Sequence, residues 1–186
     1  MVLPVAREKR STSSRNAGRQ CRLKGRAQTG EFLIPDLLGS IFDFGDNSST
    51  TEGNQGTGRS YLFLTPRSAS GTLRVAYSVN GSTSETRVSA AAALPSSGMH
   101  HDAVVANDAG DQLLLYVDGA PAGSAAWSGT LSAIHDINNW LGKSQYSSDA
   151  EFGGTLYEAR IYGAALRPEQ IALSFADGPD PAYLEP

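Results

Sequence analysis

The chain has 186 residues, 18% of them charged, with a formal net charge of −4. This length allows one domain with a sizeable buried core, and 20 glycines suit many short strands joined by turns. A single cysteine, Cys21, excludes an internal disulfide framework, and no apolar run approaches the roughly 18 residues of a membrane-spanning helix, so we expect no membrane partner.

The charge is divided unevenly. Residues 1–30 contain eight Lys and Arg and one Glu, a net +7, so the total of −4 leaves −11 for residues 31–186. This leader has no hydrophobic periodicity and no apolar core of a secretory signal. We interpret residues 1–30 as a basic disordered leader outside the fold, residues 31–180 as the domain and residues 181–186 as a tail. A nucleic-acid partner is not favoured.

Apolar and polar residues alternate with a period of two along much of the chain, which predicts strands. In chain order these are about 38–44, 61–65, 72–79, 85–89, 100–107, 112–117, 121–126, 140–142 and 155–162. Asn80-Gly81 and Asp118-Gly119 both predict type I′ hairpins. A helix begins near Pro168 and ends at Gly178. The pattern predicts an all-β antiparallel sandwich with one short C-terminal helix.

Six segments together resemble one known domain: IFDFG, YLFLTPR, MHHDAVV, LLLYVDGAPAGS, NNWLGKSQY and FGGTLYEARIYGAALRPEQI. They resemble the laminin G-like, concanavalin A-like jelly roll, in the version appended to bacterial glycoside hydrolases. The similarity covers about Ile41 to Phe175, and the leader stands where this family has its opening strands, which suggests an N-terminal truncation. The resemblance implies a sandwich that binds sugars or proteins, often holds a structural calcium and is typically secreted or on the cell surface.

Enzyme signatures are sparse in this sequence. The GxSxG, P-loop, GxGxxG, HExxH and paired CxxC motifs are absent, as is the ExDxxE pattern of concanavalin-like glycosidases. His100, His101 and His135 are the candidate catalytic bases. On a strand, however, His100 and His101 point to opposite faces, so we favour structural roles for them. Met99, His100 and His101 resemble the WHH sequence that opens a core strand in this family, with Met99 in place of the Trp.

Acidic residues indicate calcium rather than a transition metal, because Ca²⁺ prefers six to eight oxygen ligands. Asp43, Asp149 and Glu158 are the candidate ligands. Family members usually have an Asp directly before Glu158, where this chain has Tyr157. That departure leaves solvent-facing charges as the alternative interpretation.

Carbohydrate binding usually combines an aromatic ring with amide and carboxylate groups. Trp127, Asn138 and Tyr146 are the candidate residues because they fall in or beside loops, whereas Trp140 lies in a strand and is expected in the core.

Two functions of different class follow. The first is a non-catalytic carbohydrate-binding module related to the end of a glycoside hydrolase. The alternative is a small calcium-dependent hydrolase acting on a lactone, ester or glycoside, and a protein-interaction module is a third interpretation. The first requires an exposed ring near Asn138 or Tyr146, and the second requires a His and carboxylates that converge. A sandwich without its opening strands also leaves a free edge, which favours a homo-oligomer.

Overall fold

The computed structural model describes the backbone of Gln20–Arg22 and residues 39–180. Ten strands and one α-helix make up this part of the chain. They are β1 (Gln20–Arg22), β2 (Phe42–Asn47), β3 (Gly58–Thr65), β4 (Arg74–Ser78), β5 (Thr86–Ser89), β6 (Asp102–Asn107), β7 (Gln112–Val117), β8 (Ala120–Ala126), β9 (Asn138–Leu141), β10 (Arg160–Tyr162) and α1 (Pro168–Asp177).

The main strands form two antiparallel sheets. The five-stranded sheet has the order β5-β4-β3-β2-β9, and the three-stranded sheet has the order β6-β7-β8. Strand β5 of the first sheet contacts β8 of the second, which closes the sandwich on that side. The predicted all-β antiparallel sandwich is confirmed.

The hairpin between β7 and β8 shows how the sequence produces this fold. Asp118 and Gly119 have φ angles of 49° and 77°, as a type I′ turn requires. Along β7, Leu113 and Leu115 are fully buried between the sheets. Burial of each leucine contributes about 1.5–3 kcal/mol to folding. The alternate residue Tyr116 packs on the other side of the sheet.

Helix α1 covers the outer side of the three-stranded sheet. Its buried residue Ile171 packs with Val105 and Tyr116. The helix begins as the sequence predicts, because Pro168 occupies the first turn and the Gln170 side chain accepts a hydrogen bond from the Arg167 amide at 2.9 Å. Gly178, with φ 66°, ends it. No helix in the described part of the chain has the length and apolar character needed to cross a membrane.

Two local predictions are wrong. Asn80-Gly81 does not form a two-residue hairpin: only Gly81 has a positive φ, and a 3-10 turn at Ser82–Ser84 extends the connection from β4 to β5. The last strand is also short. It covers only Arg160–Tyr162 rather than 155–162, because the preceding segment has no strand partner in the described chain.

Three residues of the predicted leader belong to a strand. Strand β1 pairs antiparallel with β10, with Cys21 opposite Ile161. The remainder of residues 1–30, all of 31–38 and the tail 181–186 lie outside the described residues. The division of the chain at residue 30 therefore stays a prediction.

Candidate functional site

A buried polar network lies on the outer face of the five-stranded sheet, on the side away from the sandwich core. Its centre is Gln145, which is fully buried. The Gln145 Oε1 atom accepts hydrogen bonds from Asn47 Nδ2 at 2.9 Å and Asn138 Nδ2 at 3.3 Å, and Gln145 Nε2 donates to the Asn138 carbonyl at 2.9 Å. The Asn138 Oδ1 atom accepts from the Gly53 amide at 3.0 Å. Amides from three distant segments are thus held in one geometry.

Close backbone approach allows the 143–149 loop to cover this face. The Gly56 amide donates a hydrogen bond to the Gln145 carbonyl, and the Gly56 carbonyl accepts one from the Ser147 amide, each at 2.9 Å. A β-carbon at Gly58 would lie 2.6 Å from the Tyr146 ring. Tyr146 in turn packs edge-on against Tyr61, with ring centroids 5.8 Å apart, and their hydroxyls are 3.0 Å apart.

Beside this network lies a partly exposed tryptophan with a cation against its ring. Trp140 is on β9, the edge strand, and pairs with Asp43 of β2. The Lys143 Nζ atom is 4.4 Å from the centre of the Trp140 ring and donates to the Gly53 carbonyl at 3.0 Å. We call Asn47, Asn138, Trp140, Lys143 and Gln145 the outer-face site.

Two of the three predicted calcium ligands meet under the same loop. Asp43 Oδ2 accepts from the Gln145 amide at 2.8 Å and lies 3.4 Å from Ser144 Oγ, which donates its proton to Asp149 Oδ2 at 2.7 Å. Asp43 is fully buried, and its Oδ1 atom has no hydrogen-bond partner. Burial raises the pKa of Asp43 to about 7, with a smaller contribution from the charge of Asp149.

Glu158 lies in a different environment. Its carboxylate is bound by Arg160 through two hydrogen bonds, of 2.8 and 2.7 Å, and accepts a third from the Asp180 amide at 3.1 Å. A guanidinium held this way already neutralises the carboxylate. Across residues 39–180, no three His, Cys, Asp or Glu side chains converge as metal ligands.

His100 and His101 lie just before β6 rather than on it, and their side chains contact different groups. His100 Nδ1 is 2.9 Å from Asp118 Oδ2, and His100 Nε2 is 3.1 Å from the Ser97 carbonyl, so both ring nitrogens are engaged. The hydrogen bond to Asp118 is the largest contribution that raises the pKa of His100. His101 instead packs against α1, where its Nε2 is 3.3 Å from Ser174 Oγ.

His135 is far more exposed and belongs to another surface. Its side chain is 76% exposed, and its Nδ1 is 3.7 Å from Asp46 Oδ2 in a shallow groove that also contains Arg59 and Val79. The three candidate catalytic histidines therefore lie at two separate places, and among residues 39–180 neither place has a cluster of three metal-ligating side chains.

An apolar cleft of about 470 Å³ opens where the two sheets are not joined, beside the edge strand β6. Its walls include Phe42, Phe44 and Leu141 of the five-stranded sheet. Asp102 lines this cleft with a buried Oδ1 that has no partner, and burial raises the pKa of Asp102 to about 6.

The candidate sugar-binding residues have different positions from those expected. Trp127 is only 2% exposed and packs edge-on against Tyr77 in the core, with ring centroids 5.1 Å apart, so the expectation that it is exposed for stacking is wrong. Asn138 is 5% exposed and committed to the network, and Tyr146 is partly buried. Trp140, expected in the core, is partly exposed, as Tyr146 is, because β9 is an edge strand.

Lys143, Gln145 and Asn47 are site residues that the sequence reasoning missed. Nothing in their spacing marks them, because each is a single polar residue in a loop or at a strand end. One signal was available: Lys143 is the only lysine in residues 31–186, and it directly follows the NNWLG segment.

Comparison with known proteins agrees with this architecture. The model of the concanavalin A-like lectin/glucanases superfamily matches residues 39–172. No curated protein sequence matches the chain significantly.

Similar solved structures include a carbohydrate-binding module, CBM40, of the Ruminococcus gnavus IT-sialidase. Its complex with α2,3-sialyllactose has a TM-score of 0.60 at 18% identity, over 76% of each chain. The complex with α2,6-sialyllactose has the same TM-score and coverage at 17% identity. A third structure of this module has a TM-score of 0.57 at 16% identity, over 80% of this chain and 78% of that one. At such identities the likeness shows the fold alone. The match over residues 39–172, in a two-sheet antiparallel sandwich, means that this chain belongs to the concanavalin A-like lectin/glucanases superfamily, as a laminin G-like domain.

Proposed function

We propose that this domain is a non-catalytic carbohydrate-binding module that uses the outer-face site. The observation that carries the proposal is the partly exposed Trp140 indole with the Lys143 ammonium 4.4 Å from its centre, next to a fixed group of amides. Pyranose rings pack against indoles through their apolar faces, while amide and ammonium groups bind their hydroxyls. The amides of Asn47, Asn138 and Gln145 are buried and hold the loop in place, so the indole of Trp140 and the ammonium of Lys143 are the groups that a sugar would contact.

The comparisons support the same proposal at the level of architecture. The R. gnavus module has this fold and was solved with sialyllactose. A sandwich of this shape is therefore compatible with oligosaccharide binding, and the outer-face site offers a surface for it.

The hydrolase alternative has no comparable support. Both ring nitrogens of His100 are occupied by Asp118 and Ser97, and His101 packs on a helix. A general base must reach its substrate within hydrogen-bonding distance. His135 is accessible, but Asp46 is the only carboxylate paired with it among the described residues.

The test is binding of Trp140→Ala to a panel of neutral and acidic oligosaccharides, measured by calorimetry. We expect about tenfold weaker binding than wild type with little change in thermal midpoint, because the indole is at the surface. Tyr157→Ala is the matched control, since Tyr157 is a 50% exposed ring on the cleft. Wild-type protein that binds no sugar, or equal losses in both variants, would contradict the proposal.

We also propose that Ca²⁺ binds between Asp43 and Asp149 and stabilises the 143–149 loop. The support is the unpartnered Oδ1 of the fully buried Asp43 and the shared contact of both carboxylates with Ser144. Glu158 does not fit, because Arg160 holds it. Carbonyl, amide and hydroxyl oxygens of the loop would complete the ligand set that Ca²⁺ prefers.

Thermal unfolding with Ca²⁺ or a chelator tests this second proposal. Ca²⁺ should raise the thermal midpoint of the wild type and of Glu151→Gln, which removes an exposed acid just after this loop, but not that of Asp149→Asn. The same midpoint for the wild type in Ca²⁺ and in chelator would refute the calcium site.

A further inference from the structure

Lys143 differs from Arg87 and Arg160 in what it contacts. Arg87 is paired with Glu85 and Arg160 with Glu158. The Lys143 ammonium forms no ion pair with any residue in the described part of the chain, and its hydrogen bond goes to an uncharged group, the Gly53 carbonyl. Among residues 39–180, therefore, no carboxylate neutralises this charge through an ion pair.

The position of this charge is nevertheless restrained. One of the three ammonium donors is used by Gly53, and the ring of Trp140 attracts the cation from 4.4 Å. Two donors remain for other oxygens. A cation fixed in advance loses less conformational entropy when it binds an anion than a freely moving lysine does.

The net charge of the rest of the domain indicates what kind of ligand Lys143 would bind. Residues 31–186 have a net charge of −11, and Lys143 is their only lysine. A body this acidic repels anions at long range. Binding of an anionic ligand would therefore depend on a nearby positive charge. A neutral sugar could bind to the Trp140 ring without the Lys143 ammonium beside it.

We infer that the outer-face site selects acidic glycans, with the Lys143 ammonium binding a carboxylate or sulfate group of a sugar that contacts Trp140. This inference rests on the proposed carbohydrate-binding function and names the ligand class of the same site. The charge-assisted contact supplies the preference for acidic over neutral sugars, and the indole supplies affinity common to both.

The experiment compares lactose, 3′-sialyllactose and 3′-sulfolactose, which share a neutral core, by calorimetry with the full chain. We expect wild type to bind at least one acidic sugar about three- to tenfold more tightly than lactose. Lys143→Gln should remove this preference, so that the three sugars bind with similar affinity, and Lys143→Arg should keep it. Arg59→Gln is the control, because it removes an exposed positive charge from the separate groove near His135.

The possible outcomes distinguish the preference for acidic sugars from the carbohydrate-binding function itself. Equal binding of the three sugars, lost in Trp140→Ala, would overturn the acidic preference and leave the carbohydrate-binding function standing. A preference that survives in Lys143→Gln, or is lost equally in Arg59→Gln, would overturn the role of Lys143. No binding of any of the three sugars would overturn the function and the inference together.

Discussion

Asp43 makes stability depend on pH in an unusual direction. Its folded pKa of about 7 lies above the ordinary value of 3.8, so the native state holds the proton more tightly than the unfolded chain. The free energy of unfolding therefore falls as pH rises from about 4 to about 7, by up to about 1.4 kcal/mol per pH unit. Asp102, with a pKa of about 6, acts in the same direction between about 4 and 6.

Asp43→Asn should remove the larger part of this dependence. We expect the free energy of unfolding of the variant, relative to wild type, to increase steadily between pH 4 and 7 in chelator. The amide keeps an acceptor for the Gln145 N–H but never becomes charged. Urea unfolding at several pH values measures the effect, with Glu151→Gln as the control. Parallel curves for wild type and Asp43→Asn would show that Asp43 titrates normally.

Truncation of Trp127 should destabilise the domain more than truncation of Trp140. Trp127→Ala should lower the free energy of unfolding by about 3–5 kcal/mol, because it leaves a cavity among Tyr77, Leu113 and their neighbours. Trp140→Ala should lower the free energy of unfolding by about 1 kcal/mol or less, because its ring is partly exposed to solvent. Denaturant unfolding of both variants checks this order, and a reversed order would contradict the assignment of core and surface.

At the scale of elements, the pairing of β2 with β3 depends on a glycine. A β-carbon on Gly45 would lie 2.0 Å from the Ser60 carbonyl oxygen and 2.7 Å from the Tyr61 α-carbon. These are backbone atoms that cannot rotate away. The two strands therefore approach closely only with glycine at this position.

Gly45→Ala should accordingly destabilise the domain by several kcal/mol or prevent folding. Gly163→Ala is the matched control, because nothing lies within 4 Å of its added methyl group and its φ is not positive. Thermal midpoints and far-UV spectra of the two variants provide the measurement. Similar midpoints would mean that β2 and β3 tolerate a wider spacing.

Element prediction succeeded where local chemistry is decisive. Asp118-Gly119 turned as expected because both residues adopt positive φ angles. The similar pair Asn80-Gly81 did not, because the chain continues through Ser82–Ser84 before β5 begins. Whether a turn dipeptide forms a tight hairpin depends on the register of the strands it joins, and that register is set by core packing.

For the whole molecule, the pairing of β1 with β10 makes the leader testable in two parts. Deletion of residues 1–19 should leave the thermal midpoint unchanged. Deletion of residues 1–30 should lower it, because it removes Gln20–Arg22, which bonds to Arg160–Tyr162. Calorimetric unfolding distinguishes the cases. Unchanged midpoints for both deletions would instead support the leader that we predicted up to residue 30.

The homo-oligomer also stays a prediction at this scale. Strand β6 is the edge of its sheet, and Met99 and Tyr157 on the cleft beside it are 58% and 50% exposed. Exposed strand edges and apolar rims favour association. Light scattering after size exclusion should give a mass twice that of the chain, and a monomer mass at all concentrations would contradict the prediction.

The sequence by itself determined the sandwich, the β7–β8 hairpin and the terminal helix, because alternation, turn residues and a first-turn proline act over a few residues. It also named Asp43, Asn138, Tyr146 and Asp149, but without their arrangement. Only the tertiary structure decided that Asn47 and Gln145, 98 residues apart, share a hydrogen bond. It also placed Trp127 inside and Trp140 at the surface, because exposure depends on which strand forms the edge of a sheet, and strand order is not encoded in local spacing.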